Sequence, residues 1–373
     1  MFAILTSNEL HFRGSLLYAT MYKIGKYFLA TCIIPLLFGC NGSRDLTTVE
    51  SISPVVVTDK TPNDTDDPAI WFNPADPAQS LILGTDKGDT TGGIFVFHLD
   101  GNLDTALSLT GMKRPNNIDV EYGFPFNGKD IDIAVCTERG RDMLRVVSLP
   151  ECKFIDHGGI PVFEDDSLRS PMGIGLYKTK SNRVFAFVGR KTGPQDGYLY
   201  QYELTGKDGF VVGTKVRALG KFSGKKEIEA IVVDDELGYV YYSDEKVGVR
   251  KYYADAEKGN EELAVFAQTG ITGDHEGLSI YQDENGTGYI VLSDQQANEF
   301  HLYPREGTNG NPNDHPVVRI VKAQTSDSDG SDILNMPLNK AFPKGIFVAM
   351  SSDRTFQFYR LEDLIGEKIL AEK

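Results

Sequence analysis

LILGTDKGDTTGGIFVFHL (residues 81–99) is the stretch that decides the fold. An apolar run enters a polar, glycine-bearing turn and returns as a second apolar run ending in aromatics. Val, Ile and Phe at this density suit pleated, half-buried strands, and the Asp/Gly/Thr cluster between them suits a turn. Alone this is a hairpin. Along the chain it is a repeat: IDIAVCTERGRDMLRVVSL (131–149), VFAFVGRKTGPQDGYLYQYEL (184–204), YVYYSDEKVGVRKYY (239–253), YIVLSDQQANEFHLY (289–303) and IFVAMSSDRTFQFYRL (346–361) follow at intervals of about 50 to 57 residues. A shorter apolar element precedes each copy, beginning at Asp66, Asn116, Pro171, Glu227, Asp274 and Ser328. A period of about 50 residues built from three or four strands marks a propeller blade. Six copies predict an all-β, six-bladed β-propeller over residues 51–370, with helix only in the tail LEDLIGEKILAEK (361–373). Hairpins in a sandwich would not keep so regular a spacing.

In a propeller the first strand of every blade lines the central channel, so residues at its start converge on one end of the axis. Here they are Asp66 and Asp67, Asn117 and Asp119, Glu227 and Glu229, Asp274 and Glu276, and Asp329 and Asp332, with Met172 in the third blade. Gathered carboxylates repel and raise one another's pKa unless a cation sits among them. Calcium accepts six to eight oxygens at roughly 2.3–2.6 Å in irregular geometry, magnesium demands a stricter octahedron, and zinc prefers His or Cys. Several calcium ions are therefore expected. TSDSDGSDIL (325–334), with Asp327, Asp329 and Asp332, resembles the opening of a calcium loop, although no distal Glu or flanking helices accompany it.

The hairpin turns offer a second ring of charge. It runs through Asp86–Lys87, Glu138–Arg139, Arg190–Lys191, Asp244–Glu245, Asp294–Gln295 and Ser352–Asp353. Cations in the first three blades facing acids in the later ones suit a polyanion held between Lys/Arg and metal. Phosphate is the natural candidate.

The net charge of −15 over 373 residues disfavours nucleic acid or an anionic membrane as partner. Met21 to Cys40 reads as an export signal: Lys23 and Lys26 precede an apolar run too short to span a bilayer, which ends in the lipoprotein-like box Leu37-Phe38-Gly39-Cys40. Residues 1–40 are thus expected to be a signal segment, with Met21 a candidate start, and residues 41–50 a tether. The expected product is an exported monomer, held at a bacterial membrane only by lipid on Cys40. Cys136 and Cys152 remain, as a disulfide or as two buried thiols. No P-loop, G-x-S-x-G elbow or Cys/His zinc spacing is present, and the scattered histidines, His301 within a strand among them, read as structural.

The chain resembles the β-propeller phytases, calcium-dependent phosphatases of myo-inositol hexakisphosphate. The resemblance is carried by DDPAIWFNPADP (66–77), TDKGDTTGGIFVFHLDG (85–101), NNIDVEYGFPFNGKDIDIAV (116–135), DDELGYVYYSDE (234–245), DHEGLSIY (274–281) and SDSDGSDIL (326–334). It implies that Lys87, Arg139 and Lys191 contact phosphate. It also implies that Asp67, Asp119, Glu229, Glu245, Asp274, Glu276, Gln295 and Asp332 belong to calcium sites. The implied mechanism is attack by a calcium-bound water or hydroxide on a phosphate bridged by several ions, with a second, affinity site beside the cleavage site. Met172, Thr192, Ala230 and the last blade depart from the family pattern. A lactonase-like calcium propeller, or a non-catalytic surface lipoprotein that binds phosphorylated ligands, are the other readings the residues allow.

Overall fold

The structure is a computed structural model that describes residues 49–283 and 285–366. The export signal, Cys40 and most of the tether lie outside the described residues, as does the tail beyond Gly366. Among the described residues no helix is long and apolar enough to cross a membrane.

The repeat folds as its spacing predicts, into six sheets. The inner strands are Thr65–Trp71, Pro115–Phe126, Pro171–Lys178, Ile231–Asp234, His275–Gln282 and Ser331–Leu334. Each pairs antiparallel with a second strand: Leu81–Asp86, Lys129–Glu138, Val184–Arg190, Tyr239–Asp244, Gly288–Asp294 and Ile346–Ser351. Third and outer strands complete four-stranded blades. The outer strand of blade 6 comes from the start of the chain. Val56–Val57 pairs with Phe358 and Gln357, closing the ring, and Glu50–Ser51 adds a parallel strand to blade 5.

The apolar runs are continuous because both faces of each sheet are covered. In blade 1, Ile94 and Val96 pack toward blade 2, while Phe95 and Phe97 pack toward blade 6. Six hydrophobic clusters arise in this way, one between each pair of adjacent blades. Trp71 is core, and its indole N–H donates to Asp132 at 2.9 Å. Cys136 and Cys152 are two buried free thiols between blades 1 and 2. Among the described residues helix is confined to Leu361–Ile365, which seals the blade 5–6 cluster, and to short 3-10 turns.

Near the axis the backbones approach so closely that side chains do not fit. A Cβ on Gly173 would lie 1.8 Å from the Glu229 carbonyl oxygen, and one on Gly330 would lie 2.8 Å from the Asp67 Cα. Blades 3 and 6 thus need glycine where the inner segment of the neighbouring blade passes.

Candidate active site

The inner-strand acids divide into two levels. Asp67, Asp119 and Asp332 line a cavity of about 40 Å³ on the axis, walled by residues of all six blades. Each also ties its blade to the next. Asp67 accepts the Ile118 N–H at 3.1 Å, Asp119 that of Leu176 at 2.7 Å, and Asp332 that of Ile70 at 2.8 Å. Loss of solvent raises all three pKa values, to about 6 for Asp119 and about 7 for Asp332. Neighbouring carboxylates push Asp67 and Asp332 further the same way.

The second level is the rim, and a repeated dipeptide builds it. Thr137-Glu138, Ser243-Asp244 and Ser293-Asp294 end second strands. Each hydroxyl donates to a carbonyl of the next blade's inner edge: Met172 at 2.6 Å, Glu276 at 2.9 Å and Ser328 at 2.9 Å. Each acid, with Asp86 of blade 1, is fully buried and accepts backbone N–H groups of the loop that leads into its own blade. In blades 1, 2, 4 and 5 the first charge of the turn pair is therefore structural. The residue after it makes its contacts at the rim.

There Lys87 Nζ lies 2.8 Å from Asp66 and 2.7 Å from Asp329. Burial disfavours its charge, but Asp66, Asp329 and Glu229 outweigh burial and hold the ammonium firmly protonated. Arg139 rests its guanidinium on the Met172 sulfur; burial and the nearby Arg114 lower its pKa, against Asp66, Glu229 and Glu227. Lys191 is half-exposed and reaches Glu227 at 2.5 Å. Gln295 donates to Asp329 at 2.5 Å. The three cations read from the sequence thus stand around one group of acids.

Beside them, Glu229, Glu245 and Glu276 each offer an oxygen within 4.8 Å of the other two. Burial is the first cause of raised pKa values in all three, to about 7 for Glu245. Lys226 contacts Glu245, Asp274 (2.9 Å) and Glu276 (3.5 Å), and Lys246 contacts Asp274 at 2.6 Å. Glu245 Oε1 and Glu276 Oε2 are nevertheless buried without a hydrogen-bond partner. Oxygens on opposite sides of one calcium lie about 4.6–5.2 Å apart. The all-oxygen set, its spacing and its unsatisfied atoms fit that ion.

Asp327 stands apart from this group. It is exposed, with its N–H on Asn298 and its carboxylate 3.5 Å from the Ser352 hydroxyl. Sequence reasoning missed Lys226, Lys246 and Gln296, which donates to Asp274 at 2.9 Å. Lys226 lies one residue before Glu227 in the loop ahead of the inner strand, outside the repeated elements that the sequence reading aligned. Met172 is fully buried beneath Arg139, and Ala230 is core between blades 4 and 5.

The chain is similar to known proteins in sequence and in fold. A family model described as Phytase matches residues 41–357. A 3-phytase of Bacillus subtilis strain 168 is 34% identical over 298 residues, 77% of this chain and 74% of that protein. The solved structure of a calcium-binding protein, regucalcin, from Agrobacterium tumefaciens strain C58 superposes with a TM-score of 0.51 at 12% identity, covering 84% of this chain and 97% of that one. At such identity the likeness speaks to the fold alone. The family match spans five of the six blades entirely and enters the last strand of the sixth, and it includes every rim residue described above: the chain belongs to the phytase family.

Proposed function

We propose that this protein is a calcium-dependent phosphomonoester hydrolase that releases phosphate from phytate, myo-inositol hexakisphosphate. The observation that carries the reading is the set of Glu229, Glu245 and Glu276 oxygens, within 4.8 Å of one another, beside Lys87 and Arg139. Family membership and the 3-phytase relative support a phosphate ester as substrate. Glu229, Glu245 and Glu276 would hold calcium at the rim, with Asp274, Asp329 and Gln295 around them, and Asp67, Asp119 and Asp332 would hold a further ion on the axis. Bound calcium supplies positive charge to phosphate oxygens and lowers the pKa of water.

The protein's own groups bind and orient. Lys87, kept protonated by Asp66 and Asp329, is a fixed charge for one phosphate oxygen. Arg139 is planar and offers paired N–H donors, so it sets the orientation of the group as well as its charge. Lys191, half-exposed on a flexible stem, exchanges Glu227 for a phosphate of the same substrate. Because these donors are preorganised, they stabilise the charge that grows on the equatorial oxygens during transfer. The export signal and the lipid on Cys40 belong to the same proposal; loss of membrane fractionation in Cys40→Ala tests them.

The deciding experiment is phosphate release from phytate in calcium-buffered solution, with a simple monoester alongside. Release should cease with chelator, return with calcium and favour phytate. Release that ignores chelator, or none at any calcium level, refutes the reading.

A further inference from the structure

Blade 5 departs from blades 2 and 4 at two positions of its third strand, and the departure creates a second kind of site. In blade 2 the third strand carries Arg145 opposite Cys136, two residues before the anchoring Glu138. Its guanidinium clamps Glu138 at 3.1 Å and Asp156 at 2.8 Å. In blade 4, Arg250 holds the same place opposite Tyr242 and clamps Asp244 at 2.9 Å and Glu262 at 2.5 Å. In blade 5 that place, opposite Leu292, is taken by His301.

The imidazole is too short to do what arginine does. His301 Nε2 lies 3.9 Å from Asp294 and 3.7 Å from Glu299, beyond hydrogen-bond reach of both. The residue is 2% exposed, and its Nε2 has no hydrogen-bond partner. Burial holds the ring neutral, with a pKa lowered to about 4. Blade 5 also adds a carboxylate. Glu299 pairs directly with Asp294, where blades 2 and 4 have Met143 and Gly248. Two acids and a neutral nitrogen therefore face a gap where the sibling blades place a cation. Asp294 is fixed by the Thr272 and Gly273 N–H groups at 2.7 and 2.9 Å. Lys322, opposite Glu299 on the outer strand, is exposed. A second buried ring nitrogen without a partner, His275 Nδ1, belongs to the residue paired with Asp294 on the inner strand.

We propose that Asp294, Glu299 and His301 form a binding site for a divalent metal of the zinc class, separate from the carboxylate rim. One ligand atom from each of the three lies within 4.8 Å of the others. Zinc at roughly 2.0–2.2 Å from nitrogen and oxygen ligands puts neighbouring ligand atoms about 3.3–3.6 Å apart, so a shift of a few tenths of an ångström brings the His301 nitrogen to ligand spacing from each acid. The imidazole nitrogen distinguishes it from the all-oxygen rim and selects zinc, cobalt or manganese over calcium. The metal takes the role of the missing guanidinium and locks the second and third strands of blade 5.

The test uses the full chain, stripped of metals and then saturated with calcium to block the rim. Zn²⁺ is titrated by calorimetry and Co²⁺ by visible absorption. One equivalent with cobalt bands of nitrogen–oxygen ligation is expected. Zinc should raise the melting temperature. His301→Arg, which restores the sibling arrangement, should abolish the equivalent. Glu299→Gln, at a part-exposed position that leaves the core intact, should weaken it at least about tenfold. Calcium-dependent phosphate release should be unchanged in both variants. Failure of the calcium-loaded protein to take up zinc, or uptake undiminished in Glu299→Gln, overturns the proposal.

Discussion

At the scale of single residues the rim is a balance between acids and the few cations inserted among them. Lys226 neutralises Glu245, Asp274 and Glu276 together. Lys226→Met should therefore lower the melting temperature of the chelated protein by several degrees and that of the calcium-loaded protein much less, as calorimetry in the two conditions would read. Glu276→Gln removes a ligand oxygen with no other partner, so the calcium concentration for half-maximal phosphate release should rise at least about tenfold. Lys87→Ala should keep the fold and lower kcat/KM by about 10²–10³, the usual cost of deleting one preorganised donor. Lys87, Arg139 and Lys191 were legible because aligning the turns of a repeat exposes what each turn carries. Lys226 was not, since it stands in the loop ahead of the inner strand and not in the aligned turns.

At the scale of the element, blades 2, 4 and 5 depend on a hydroxyl–acid pair at the end of the second strand. The sequence presents Asp86, Glu138, Asp244 and Asp294 as turn charges equal to their successors. Alternation along a strand decides otherwise: one residue of each pair points into the blade and anchors a loop, and the next meets the rim. Ser243→Ala should cost about 0.5–1.5 kcal/mol in urea unfolding through the lost bond to the Glu276 carbonyl. Gly330→Ala should cost about 1–3 kcal/mol, because its Cβ meets the Asp67 carboxylate and also the Asp67 Cα, which cannot swing aside. The two levels of acid were hidden for a related reason. Blade 4's inner strand begins only at Ile231, which leaves Glu227 and Glu229 in the preceding loop at the rim, whereas Asp67, Asp119 and Asp332 lie within strands and descend the channel.

At the scale of the whole molecule, the period of the apolar runs sufficed to predict the ring, because a sheet covered on both faces cannot hide its strands. The same enclosure makes stability depend on pH. Glu121, held at about 8, Asp235, Glu245 and Asp332 at about 7, and Asp119 and Asp329 at about 6 all keep protons that the unfolded chain releases near pH 4. Burial is the leading cause in each case. With more protons on the folded form, stability falls as pH rises from about 4 and levels off near 8. Thermal unfolding in chelator should show that decline, and calcium should flatten it. The strand Val56–Val57 has a further consequence. It is made long before its partners Phe358 and Gln357. A growing chain must therefore carry an unmated segment until those residues have emerged, and a message truncated before that point would yield an open spiral of blades with two sticky ends.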